Sequence, residues 1–451
     1  MKTIRNLSLT VVLLALLFTA LSILTFSIPT SAIRKNVETS ARQIESDGLW
    51  YRPLGFFLFQ IDNMTDCIML RINATADSSR PVYAAMIDEE YEQVTDTLHP
   101  YNDITQATKT IAHNGRQSGD EYSSYARYWH GYQLFLRPLL TVFTYHTIIA
   151  INYVLLWLIA IITCIAIYRR IGKPYAILLA MSLVLTNFFI VPLALQFSTC
   201  YYIAFLTMLI LITRQRIALD NEKSLVLFLT TGAITSYMDF LTTPVLTLGM
   251  PLVCLVAIRR TTVKETNKQT NNQINEQISK QSNEHINKQS NKQTLKDITL
   301  HSISWFAGYS LLWASKWLIG WLLTGKDIIT SALGSASKRT GDTLVMGGKE
   351  MNMSDAIQLL IDKLPVSLLI TAAVVVAIMI LTATYIYKHR HQMQQNGWVL
   401  LIAVMPVVWF LAMKNHSLQH IFFTWRDFLL TLWCIAIYIA ANKKCSKLKQ
   451  P

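Results

Sequence analysis

Apolar runs long enough to cross lipid, each flanked by short basic stretches, recur from one end of this chain to the other. A hydrocarbon core about 30 Å thick takes roughly 20 apolar residues as a helix. Only helices and closed barrels satisfy their own backbone where water is absent. With 451 residues, 52% of them hydrophobic and 15% charged, and a mean hydropathy of +0.33, the chain is too apolar for a soluble protein. It reads as an all-α polytopic membrane protein with about ten transmembrane helices.

Basic loops set the orientation of such a chain. Lys2 and Arg5 place the N-terminus inside, ahead of a first anchor in residues 1–30, with "PTSA" leaving cleavage after Ala32 open. "RRIGK", "RQRIALDNEK", Arg259 with Arg260, "KHRHQMQQNG" and "NKKCSKLKQP" then all fall on the cytoplasmic side. The spans that achieve this are 7–29, 139–168, two within 175–212, 224–237, 243–258, 303–323, 364–387, 398–413 and 421–441. Residues 31–137 become a long external first loop containing short amphipathic helices, and 138–260 hold helices two to six. Residues 261–298, built of Asn, Gln, Lys and Ser, cannot bury enough surface to offset ordering and are expected to form a disordered cytoplasmic loop. Residues 299–442 supply helices seven to ten around an external loop at 324–363, and 443–451 form a basic cytoplasmic tail. The net charge of +13 lies largely in these loops, so it is assigned to topology and membrane lipids, with no nucleic-acid partner. Six cysteines without a C-x-x-C pair read as packing residues.

Polar residues then gather on the expected external face. "FQIDNMTDCIML" sets Asp62 and Asp66 four apart, on one face if the piece is helical. Such a pair suits a general base, or a divalent cation as the one candidate cofactor. The competing reading is two ordinary loop aspartates. In "YARYWHGYQLFLRPLL" the aromatics form an interfacial belt, while His130 and Arg137 next to them suit a sugar and phosphate subsite or interface anchoring. Asp239 ends a span in "MDFLTTP", as a turn residue or a site residue. Lys316 in "LLWASKWLIGW" lies inside a span, where a cation faces a polar cavity or a partner unless it snorkels. In "NHSLQHIFFTWRDF", Asn415, His416, His420 and Arg426 sit at the membrane surface. His416 and His420 have the spacing of H-E-x-x-H zinc sites but lack the glutamate, and with Arg426 they form a cationic cluster suited to an interfacial phosphate.

This arrangement resembles the C-type glycosyltransferase fold, the polytopic enzymes that use polyprenyl-phosphate sugars. The likeness rests on a first span followed by a long loop with Asp62 and Asp66, on the re-entry "RYWHGYQLFLRPLL", and on Lys316 and Arg426 at later outer boundaries. It implies an integral protein of the plasma or inner membrane with an extracytoplasmic active face. There a sugar passes from a lipid-linked donor to an envelope or lipid-linked acceptor, with inversion. Asp66 then serves as base with Asp62 second, and His130, Lys316, His416, His420 and Arg426 hold phosphate. Two other classes stay open: a transporter or flippase of lipid-linked glycans, which needs polar residues at several depths, and a membrane O-acyltransferase using His416 or His420.

Overall fold

The computed structural model describes residues 2–53, 55, 59–92, 104–239, 241–271, 276–341, 343–346, 349–352, 358 and 397–447. The described chain is helical apart from two short antiparallel hairpins, β1 (Glu89–Glu92) with β2 (Glu121–Ser124) and β3 (Thr343–Met346) with β4 (Lys349–Asn352). Among the described residues five helices are long and apolar enough to cross a membrane: Thr3–Phe26, Tyr145–Arg170, Leu195–Thr213, Pro244–Val263 and Ile421–Ala441. This makes the protein an all-α membrane protein in its broad class. The expected span at 364–387 lies outside the described residues.

Residues 30–140 form a cap with its own core. Helix α1 (Lys2–Phe26) is the first long apolar helix, and after Pro29 the chain enters α2 (Thr30–Asp47). Ile33, Val37, Ala41 and Ile44 of α2 recur at helical spacing and are buried. They pack near Cys67, Leu70 and Ala74 of α3 (Asn63–Thr75) and Ile104, Ala107 and Ile111 of α5 (Ile104–Asn114). Each such aliphatic contributes about 1.5–3 kcal/mol on burial. Pro81 opens the short α4 (Pro81–Ile87), where its missing N–H costs nothing. Helix α6 (Gln133–Leu140) closes the cap and breaks at 141–144, before α7 (Tyr145–Arg170). The expected single span 139–168 is therefore two helices.

The "TNFFIVPLALQFST" turn separates α8 (Lys173–Leu185) from α9 (Leu195–Thr213), with Asn187 in the left-handed region at φ 57°. At 13 residues α8 is shorter than a full span. A five-residue helix α10 (Gln215–Leu219) leads to α11 (Asn221–Met238), which Asp220 caps by accepting from Lys223 N at 3.0 Å. Two further helices, α12 (Pro244–Asn271) and α13 (Glu276–Thr324), carry most of the stretch expected to be disordered. Residues 261–271 extend the apolar part of α12 and 276–298 form the first half of α13, while 272–275 lie outside the described residues. Lengthening a formed helix avoids the nucleation cost, and Gln, Lys and Glu are good helix formers. Helices α11 and α13 touch backbone to backbone. A Cβ on Gly232 would lie 2.0 Å from Trp305 O, and one on Gly308 would lie 2.0 Å from Leu229 O.

Helix α14 (Ile328–Thr340) begins at the N-cap Asp327, which accepts from Thr330 N at 3.0 Å. The expected span 398–413 is divided into Trp398–Ala403 and Met405–Ala412, with Pro406 opening the second piece. Cys67, Cys200, Cys254 and Cys434 are buried free thiols.

The cap docks on α11 and α13 through specific donors. Trp313 Nε1 and Trp317 Nε1 of α13 donate to Arg127 O at 2.7 and 3.0 Å, and Trp129 Nε1 donates to Leu312 O at 2.8 Å. Gly131 N donates to Tyr237 O at 2.8 Å, an approach a Cβ would block.

Candidate functional site at the seam between cap and bundle

Asp62 and Asp66 open α3. Asp62 is the N-cap, accepting from Thr65 N at 3.0 Å and Thr65 Oγ1 at 2.8 Å, and its backbone carbonyl accepts from Gln196 Nε2 at 3.0 Å. Asp66 follows one turn later, fully buried, and among the described residues neither of its carboxylate oxygens has a hydrogen-bond partner. Burial drives the Asp66 pKa well above the ordinary carboxylate range; the nearby Tyr145 hydroxyl moderates the rise and the Asp62 charge adds to it. The helical D-x-x-x-D geometry expected from sequence is present, with a division of labour: Asp62 holds the helix end and Asp66 is left over. Among the described residues no group of three or more His, Cys, Asp or Glu could hold a metal. A divalent cation here would find only these two carboxylates.

His130 and Arg137 belong to a directed chain of hydrogen bonds. Arg137 Nη1 donates to Asn73 Oδ1 at 3.3 Å, and Asn73 Nδ2 donates to Gln133 Oε1. Gln133 Nε2 donates to Tyr132 Oη at 3.2 Å. Tyr132 Oη lies 3.1 Å from His130 Nδ1, and His130 Nε2 donates to Tyr125 O at 3.0 Å. Because that carbonyl can only accept, Nδ1 is the acceptor for the tyrosine. Burial holds the imidazole neutral, its pKa lowered to about 3. Arg137 also donates to Asn73 O at 2.9 Å, Ile28 O at 2.8 Å and Thr30 Oγ1 at 2.9 Å. Its donors tie the end of α1 to the cap, a structural role that stands beside the two readings drawn from the sequence, subsite or interface anchor.

Lys316 does not snorkel. Its Nζ donates to Ala85 O at 2.8 Å and to Asp88 Oδ2 at 3.0 Å, beneath the Trp129 ring at 5.5 Å. Asp88 caps α4 in the left-handed region at φ 52°. The expectation that a lysine inside a span needs a partner holds. The partner is a cap carboxylate, which takes the charge that was assigned to substrate phosphate.

The third group lies around the end of α9 that meets Asp62. Gln196 reaches Asp62, and the next residue, Phe197, lies under the Arg426 guanidinium at 5.1 Å and against Phe423 at 5.4 Å. Arg426 is buried, with Nη1 donating to Phe422 O at 3.2 Å. Neither oxygen of the neighbouring Asp427 has a hydrogen-bond partner among the described residues. Asn415 and His416 are buried in the helix Lys414–Gln419, and His416 Nε2 donates to Leu241 O at 2.9 Å. Asp239 closes α11 and accepts from Thr242 N at 3.0 Å, the turn role allowed from sequence. The His416 and His420 rings stand 4.8 Å apart. Burial first, then neighbouring charge, lowers the His416 pKa well below the usual value and that of His420 to about 4. The expected cationic cluster is thus one guanidinium with two neutral imidazoles.

Asp62, Asp66, His416, His420 and Arg426 therefore approach one helix end, whereas Arg137 and Lys316 are spent on joining cap to bundle. Sequence reading passed over Arg339, on α14, whose guanidinium lies 5.2 Å from the Tyr128 ring and whose charge acts on both His416 and His420. It also passed over Asp88 and Arg127. The gap beside Arg426, lined by Phe197, Tyr201 and Phe423, has no room for a water molecule. No family model, curated protein or solved structure matches this chain.

Proposed function

We propose that the protein is a membrane glycosyltransferase that moves a sugar from a polyprenyl-phosphate carrier to an envelope or lipid-linked acceptor on the extracytoplasmic face. The observation that carries this reading is the Asp66 carboxyl, buried beneath a folded cap without a hydrogen-bond partner among the described residues. Burial of an unpartnered polar group costs about 1–3 kcal/mol. A carboxylate desolvated in this way is also a stronger base than one in water, which brings it closer to the operating pH.

In this reading Asp66 takes the proton of the acceptor hydroxyl as its oxygen bonds to the anomeric carbon from the side opposite the phosphate. The bond from that carbon to the phosphate oxygen breaks, inverting the centre, and polyprenyl phosphate leaves as an anion. Arg426 and Arg339 balance its charge, because a guanidinium offers phosphate a planar fork of donors. His416 and His420 serve as neutral hydrogen-bonding groups, and Asp62 fixes the α3 end that aims Asp66. The closed gap at Arg426 means that the lipid phosphate enters by displacing side chains such as Phe423.

The test uses purified protein in lipid nanodiscs with a panel of polyprenyl-phosphate hexoses and pentoses and envelope lipid extract as acceptor. Release of polyprenyl phosphate from at least one donor, abolished by Asp66→Asn, is expected. If the parent protein turns over none of the panel, the reading is wrong.

A further inference from the structure

A cavity of about 260 Å³ opens between the cap and the first turn of α14, and none of the candidate site residues drawn from the sequence lines it. Its walls are prebuilt. Tyr83 Oη donates to Glu89 Oε1 at 3.1 Å, and Arg116 pairs with Glu89 at 2.8 Å while lying 4.0 Å from the Tyr122 ring. The Tyr122 hydroxyl donates to Asp120 at 2.7 Å, which fixes that ring. On another side Arg127 lies over the Tyr125 ring at 4.1 Å, and its Nε is buried without a hydrogen-bond partner among the described residues. Lys326, Asp327 and Ser331 complete the lining.

Two properties select the ligand. Among lining residues, the carboxylates Glu89 and Asp327 balance the cations Arg127 and Lys326, so the walls favour a neutral ligand rich in hydroxyls over an anion. The volume equals that of about nine liquid waters at ~30 Å³ each, room for a single sugar ring. Phenol faces pack against the C–H side of such a ring, while carboxylates and a guanidinium accept from and donate to its hydroxyls. The cavity stands beside Arg339: Arg127 of its lining and Arg339 lie 5.6 and 5.2 Å from the same Tyr128 ring. We propose that this cavity is a carbohydrate subsite holding one sugar ring next to the Arg339 guanidinium. That the ring belongs to a transferase substrate rests on the transferase reading, but binding of a sugar here does not.

The experiment is saturation-transfer NMR on the full-length protein in nanodiscs, without donor, using methyl glucosides, galactosides and mannosides as probes. At least one glycoside should bind, at least tenfold more weakly to Ser331→Trp, which fills the cavity, and equally to Ser331→Ala. Melting temperatures check the fold. If Ser331→Trp lowers its own, Ser124→Gln narrows the same space from β2. Binding of every glycoside unaffected by the filling variants, or of none, overturns the subsite, as does inorganic phosphate binding there instead. Glycoside binding without any donor turnover would keep the subsite and remove the transfer reaction. Turnover without glycoside binding would do the reverse.

Discussion

Two of the carboxylates buried at the seam differ in one respect. Asp88 and Asp66 are 1% and 0% exposed. Asp88 receives a hydrogen bond from Lys316 at 3.0 Å, and the pair locks α4 against α13. Even so, burial outweighs the lysine and lifts the Asp88 pKa to about 7. Asp66 has no cation beside it, only Tyr145 and the repelling Asp62. A buried charge with a partner explains itself as architecture; a buried carboxyl without one asks for a ligand or a reaction.

Substitution at Asp66 has the largest expected effect. Asp66→Asn should lower transfer about 10²–10⁴-fold, the usual worth of a general base. It should leave stability within ~1 kcal/mol, because the amide keeps the size and shape of the carboxyl and neither carboxylate oxygen has a hydrogen-bond partner among the described residues. Thermal unfolding measured beside donor turnover separates the two; a large loss of stability would make Asp66 architectural after all. Lys316→Met should do the opposite, costing about 3–5 kcal/mol by stranding Asp88, with most of it recovered in Lys316→Met/Asp88→Asn. Should the single variant melt like the parent, the latch is not what holds the cap. Arg426→Lys keeps the charge but loses the fork, and donor affinity in a nanodisc binding assay should fall about tenfold, ~1.4 kcal/mol. Unchanged affinity would move the phosphate to Arg339. The smallest effect, absent at neutral pH, concerns the histidines. Their folded pKa values lie below the ordinary 6.5, so their neutral burial adds stability that is complete above that pH and is lost as pH falls towards about 4. His416→Gln/His420→Gln should flatten the acid side of a melting-temperature profile in that window, and an unchanged profile would mean that other groups set it.

Patterns confined to a few neighbouring residues were legible in the sequence. The spacing of Asp62 and Asp66 allowed one helical face beside a loop reading, Asn187 and Pro192 announced the turn between α8 and α9, and the position of Lys316 pointed to a cavity or a partner. Identities of partners were not legible, because nothing local in "MIDEEY" marks Asp88 as the mate of a lysine 228 residues away. Protonation was not legible either. His416, His420 and Arg426 read alike as cations, and only burial shows that two of the three are neutral. Composition misled at 261–271 and 276–298, where polar residues ride on helices whose stability is set inside the bundle. Nothing local in the polar stretch that holds Arg339 marks it; its importance comes from where α14 brings it.

The 228 residues between Asp88 and Lys316 also order events during synthesis. The cap's own core runs from Ile33 to Leu140, with Tyr145 and Ile148 of α7 packed on it, and is complete once α6 and the start of α7 have been made. Its docking groups are not: Lys316, Trp313 and Trp317 emerge only with α13. Until then Asp88 is a carboxylate at an open face, and the Arg127 carbonyl waits for its indoles. A chain stalled between these points would carry a cap whose docking groups on α13 had not yet been made.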